Sequence, residues 1–142
     1  MIAVDSNVLI YAHRGETSWH VEAASRLAAL AQGPERWGLP VFCVTEFMRV
    51  VTHRRVFNPP SSVSDAAAFV TNVAAAPSCE LVRPGPGFLE LLVETARQAD
   101  TRGNVVFDAQ IAALCFEHGI DTVLTNDRDF GRFEPLRVQT LG

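Results

Sequence analysis

Met1-Ile2-Ala3-Val4-Asp5-Ser6-Asn7-Val8-Leu9-Ile10-Tyr11-Ala12-His13 is the stretch that decides the fold. Ile2 to Val4 is a short apolar run with the look of a buried strand, and it stops at an acid. From Ser6 to His13 the period changes, and Val8, Leu9 and Ala12 recur at helical spacing. A strand thus feeds straight into a helix, with Asp5 at the joint. An ionised carboxylate at the edge of a core is costly unless something positive sits against it. Glu46, Asp108 and Asp127 occupy equally awkward places, each in or just beyond an apolar segment. A divalent cation held by oxygen ligands is the usual solution, so the chain reads as a metal-dependent enzyme.

Working outward, a helix is predicted from Ser18 to Gln32, with Val21, Ala24, Ala28 and Ala31 on one face and Gly33-Pro34 as its stop. Trp37 to Pro40 reads as a short strand, and Val41 to His53 as a helix carrying Glu46 among Val44, Phe47, Met48 and Val51. The loop Phe57 to Ser62 precedes a helix from Val63 to Ala75, and a strand follows at Glu80 to Val82. The next helix, Gly87 to Asp100, buries Phe88, Leu91, Leu92, Thr95, Ala96 and Ala99. Asn104 is suited to cap a helix that runs to His118 and is ended by Gly119. Strands at Thr122 to Leu124 and Leu136 to Val138 complete the chain. Alternating strands and helices imply an α/β sandwich around a mostly parallel sheet, in which ligands sit beyond the carboxyl ends of the strands. Asp5 and Asp127 fall there.

With 142 residues, 48% of them hydrophobic, and no linker or low-complexity stretch, residues 1–142 are expected to form one domain. No apolar run approaches the roughly 20 residues of a membrane span, and the first residues form a strand rather than a basic leader, so a soluble, cytoplasmic protein is expected. Cys43, Cys79 and Cys115 are odd in number and set in apolar contexts, which suits reduced thiols and not a disulfide framework. A net charge of −4 argues against a simple nucleic-acid binder but not against an enzyme whose acids are neutralised by metal. All 12 basic residues are Arg, whose planar fork binds phosphate bidentately.

Each acid also has a plainer role. Asp5 can cap the helix it precedes, and Asp108 in a first helical turn favours the macrodipole. Glu46 can pair with Arg49 at i+3, and Asp127 and Asp129 can build the turn after the last long strand. Four independent structural roles give no reason for convergence in one crevice, whereas a metal site does. Clustered carboxylates repel, so at least one should have a raised pKa that Mg2+ or Mn2+ would relieve.

Four segments carry a resemblance: Val4-Asp5-Ser6-Asn7-Val8-Leu9, Glu46-Phe47-Met48-Arg49-Val50, Gly103-Asn104-Val105-Val106-Phe107-Asp108-Ala109 and Thr125-Asn126-Asp127-Arg128-Asp129-Phe130. Together, and over essentially the whole length, they resemble a PIN domain, and more narrowly the VapC toxin ribonucleases of VapBC toxin–antitoxin pairs. The resemblance implies a PIN-like three-layer sandwich, a mostly parallel central sheet flanked by helices. It also implies a Mg2+-dependent endoribonuclease, with Mn2+ able to substitute, that is usually dimeric and inhibited by a VapB-type antitoxin. The family's acidic quartet falls on Asp5, Glu46, Asp108 and Asp127, as catalytic and metal-holding residues. Asp5 and Asp108 match the direct ligands, Asp129 lies in the same motif and can share or take the fourth role of Asp127, and Asn7 and Thr125 match supporting polar positions.

On this reading water attacks the phosphodiester and leaves a 5′-phosphate and a 3′-hydroxyl, with transfer, ribosomal and messenger RNA all open as targets. Arg49, His53, Arg54 and Arg55 offer a phosphate track, against the plainer reading of a solvated basic helix end. His13 and His20 read as surface histidines, and Trp19 and Trp37 as packing residues in preference to base stackers. The apolar helices near the N-terminus offer both a homodimer face and an antitoxin groove. A haloacid-dehalogenase-type phosphatase would need an acid where Asn7 stands and a Lys the chain lacks. A non-catalytic RNA binder gains nothing from four acids that repel phosphate.

Overall fold

The computed structural model describes residues 1–142. Strand β1 (Ile2–Val4) runs into helix α1 (Ser6–His13), followed by α2 (His20–Gln32), β2 (Trp37–Pro40), α3 (Val41–Val51) and α4 (Val63–Ala74). Then come β3 (Cys79–Val82), α5 (Phe88–Gln98), α6 (Val105–Glu117), β4 (Thr122–Leu124), a 3-10 turn (Arg128–Arg132) and β5 (Arg137–Gln139).

The five strands form one sheet in the order β3-β2-β1-β4-β5, and every pairing is parallel. Register is set across the centre by Ala3 opposite both Gly38 and Val123, and Val4 opposite Leu124. Successive strand residues point to opposite faces. Ala3 and Val123 join a core with α5 and α6, while Val4, Leu124 and Leu39 join one with α1, α2, α3 and α4. The three-layer sandwich is therefore the fold, with a fully parallel sheet. Gly38 is required by close approach, since a Cβ there would lie 2.9 Å from Val82 Cγ2 and 3.0 Å from Ile120 Cδ1.

Two expectations change. On α2 the buried residues are Ala23 and Leu27, and Val21 is 73% exposed. Small apolar residues surround this helix on every side, so its period does not fix a face. His13 is half-buried and not simply exposed: its ring packs on Phe47 and Phe69, at centroid distances of 5.4 and 4.9 Å, and its Nε2 lies 2.9 Å from Ser61 Oγ. Burial lowers its pKa first, and the neighbouring Arg14 second. Trp37 is core, its Nε1 donating to Ser78 Oγ.

The chain starts in the middle of the sheet, works outward to β3, then returns to β4 on the other side of β1. The order of connection thus reverses between β1 and β4, which opens a crevice at their carboxyl ends. Asp5 follows β1 and Thr125 to Asp127 follow β4.

Candidate functional site

The floor of the crevice is a hydrogen-bonded knot. Asp5 is the N-cap of α1 and accepts from Ser6 N at 2.8 Å, so its plainer role is real. Its other oxygen, Oδ2, accepts from Thr125 Oγ1 at 2.8 Å and from Asn7 Nδ2 at 3.2 Å. Thr125, fully buried, also receives Asn7 Nδ2 at 2.8 Å and Asp127 N at 2.9 Å. Asn7 Oδ1 in turn accepts from Asn126 N at 3.3 Å. One hydroxyl thereby ties the ends of β1 and β4 together. Cys43 Sγ adds a weak donation to Asp5 Oδ1 at 3.6 Å, a contact that nothing in the sequence signalled.

Above this floor stand acids with few partners. Asp108, on the first turn of α6, and Glu46, in the middle of α3, accept no hydrogen bond from the protein, and the Glu46–Arg49 ion pair does not form. Asp127 caps the 3-10 turn, accepting from Asp129 N at 2.9 Å, and Asp129 lies 3.5 Å from Arg132 Nη2. Asp108, Asp127 and Asp129 each bring one carboxylate oxygen to a point where all three lie within 4.8 Å of one another. Asp127 and Asp129 therefore come in together, the shared arrangement being one of the two the sequence left open. Asp5 lies outside this trio, its oxygens already occupied. Asn104 precedes α6 without a side-chain cap, contrary to its expected role, because its backbone is already helical.

Crowding shows in the ionisation. Asp108 is pushed up to about 7, by burial first and then by the charges of Asp127, Asp5, Asp129 and Glu46. Asp5 is also raised, burial outweighing its hydrogen bonds. All of the other predicted acids, and Asp129, thus act electrostatically on Asp108. The donor set is hard, anionic and only partly satisfied, which fits Mg2+ or Mn2+ and not a soft metal. Cys43 and Cys115 are too buried to ionise, with Cys115 pushed to about 12.

The crevice opens into a cleft of about 760 Å3, lined by Glu46, Asp108, Asp127 and Asp129 and also by Arg49. His53, Arg54 and Arg55 are exposed just past the end of α3, and neither arginine forms a salt bridge.

A parallel sheet with acids gathered at its switch point defines a class, and the model of the PIN domain matches residues 2–134. Ribonuclease VapC43 of Mycobacterium tuberculosis is 41% identical over 137 residues, 96% of this chain and 92% of the relative. Ribonuclease VapC25 of the same organism is 36% identical, over 96% of each chain. Among solved structures, VapBC2 of Rickettsia felis bound to a promoter DNA fragment superposes with a TM-score of 0.72 at 16% identity, covering 99% of this chain and 98% of the other, a likeness of fold. The chain belongs to the PIN domain family and, within it, to the VapC ribonucleases.

Proposed function

We propose that this protein is a Mg2+-dependent endoribonuclease, with Mn2+ able to substitute, and the toxin of a type II toxin–antitoxin pair. The observation that carries the reading is the gathering of Asp5, Glu46, Asp108 and Asp127, with Asp129, around one crevice at the switch point. The ribonuclease names of its relatives support it.

A bound cation would supply Lewis acidity at the phosphodiester and a lowered pKa for its water near neutral pH. Asp108, Asp127 and Asp129, whose oxygens converge, would hold it, while Asp5 fixes the floor and adds negative charge beneath. Glu46, free of protein partners, takes a proton from the attacking water. The water oxygen joins phosphorus, the bond from phosphorus to the 3′ oxygen breaks, and that oxygen leaves with a proton drawn from solvent water, Glu46 returning its own to solvent. The products are a 5′-phosphate and a 3′-hydroxyl. Arg49 meets a phosphate of the same strand. A VapB-type antitoxin silences the enzyme by placing a basic side chain among the acids, and the enzyme works as a homodimer.

Purified, antitoxin-free protein incubated with total cellular RNA tests this, with Mg2+, Mn2+ or EDTA, and with the new 5′ ends mapped. Discrete cuts that need the cation and fall about 10²- to 10³-fold in Asp108→Asn are expected. RNA left whole by folded, cation-loaded wild type would refute the assignment.

A further inference from the structure

The acids account for only part of the cleft they line. Its volume of about 760 Å3 is several times that of a cation with a shell of waters at ~30 Å3 each. Thr45 and Arg49 apart, the rest of the wall is apolar and amide-bearing, built from Phe42, Asn104, Val105, Phe107, Gln110 and Ile111. Phe107 is 63% exposed. Of nine Phe, two Trp and one Tyr, it is the only aromatic side chain the molecule leaves exposed. It immediately precedes Asp108 on the first turn of α6, so ring and carboxylate project from one turn of helix. Asn104, Gln110 and Ile111 lie at i−3, i+3 and i+4 from it, on the same stripe. Arg49 lines this cleft too and makes no salt bridge, although four acids line the same cleft.

A phosphodiester held at the acids brings its own ribose and base into the remaining space. That space offers an aromatic face for the base and amide groups for its edge. Building on the ribonuclease reading, we propose that Phe107 is the stacking platform for an unpaired nucleobase beside the scissile phosphate. The substrate is then single-stranded or looped RNA, because in a duplex both faces of a base are covered by its neighbours. Asn104 and Gln110 contribute a weaker preference among bases.

A single-stranded RNA octamer carrying one 2-aminopurine at its fourth position tests the platform, mixed with Mg2+-loaded protein and read by fluorescence in the first seconds. Wild type and Phe107→Trp should quench the fluorophore. Phe107→Ala should lose the quenching and bind ~10- to 100-fold more weakly. The same octamer in a duplex should not be quenched by any of them. Equal binding and quenching by wild type and Phe107→Ala overturns the proposal. So does a Phe107→Ala protein that changes in sedimentation but not in quenching, which would give the ring to a protein–protein face. Quenching without cleavage of any RNA would sink the nuclease and leave the platform standing. Cleavage by a wild type whose quenching does not depend on Phe107 would do the reverse.

Discussion

The two walls of the crevice are built on opposite plans. On the strand side, Asp5 is buried and engaged by Ser6, Asn7, Thr125 and Cys43, so its position is fixed before any ligand arrives. On the helix side, Asp108 and Glu46 stand without a single protein donor. The first plan spends burial on precision, and the second stores repulsion that a bound cation would release. A site needs both, because rigid carboxylates alone are already satisfied and loose ones alone have no fixed geometry.

Opposite signs of stability change should separate the walls, and the strand side should give the larger one. Thr125→Val keeps the shape but removes the hydroxyl, leaving Asp127 N without an acceptor and Asp5 Oδ2 and Asn7 Nδ2 one partner short. A loss of ~2–3 kcal/mol is expected, or roughly 7–10 °C in Tm by calorimetry. Cleavage should fall about 10- to 100-fold, as when the support of a metal ligand is removed. A Tm within a degree of wild type would mean that water replaces the hydroxyl and that the strand wall is not rigid.

Asp108→Asn should act in the other direction. With its folded pKa raised from 3.8 to about 7, Asp108 favours the fold when protonated. That contribution is fully present below pH 3.8 and is lost as pH rises through about 7. In EDTA the variant should therefore match wild type near pH 4, gain steadily to pH 7 and hold its advantage at pH 8. Half-exposure and screening discount the shift to about 1–2 kcal/mol, or roughly 3–6 °C. Saturating Mg2+ should erase the gain, because only wild type recovers its repulsion as binding energy. A pH-independent difference would show that Asp108 does not carry the stored repulsion.

The strand wall was far more legible in the sequence than the helix wall. β1, α1, β2 and β4 agree residue for residue with the sequence reading, because each apolar run is short and sharply ended by an acid, a proline or a change of period. The acids at strand ends follow directly from such boundaries. On helices the signal thins. In α6 the five consecutive residues from Ile111 to Cys115 are buried, so no polar stripe marks which way Asp108 faces. In α2 the many alanines make several faces equally plausible, and the buried one is that of Ala23 and Leu27 and not that of Val21. His13 on Phe47 and Phe69, and Cys43 under Asp5, depend on contacts between distant segments, which composition and period do not encode. Asp129 was visible as a candidate, but only the 3-10 turn turns its carboxylate toward Asp108 alongside that of Asp127.

Cys43 gives the finest probe of the strand wall. Its thiol is pushed well above its usual range by burial and then by the charges of Asp5 and Glu46, so it remains an S–H donor at any pH the fold tolerates. At 3.6 Å the donation to Asp5 Oδ1 is weak, and the same oxygen keeps its 2.8 Å bond from Ser6 N. Cys43→Ala should therefore cost about 1 kcal/mol, chiefly from the small void left in the core shared with Cys115 and Ala109, and change cleavage by only ~2- to 3-fold. If it proved as damaging as Thr125→Val in both Tm and rate, Asp5 would owe its position to the packing beneath it. The contrast between a hydrogen-bonded wall and a repulsive one would then have to be redrawn as one between a packed acid and an unpacked one.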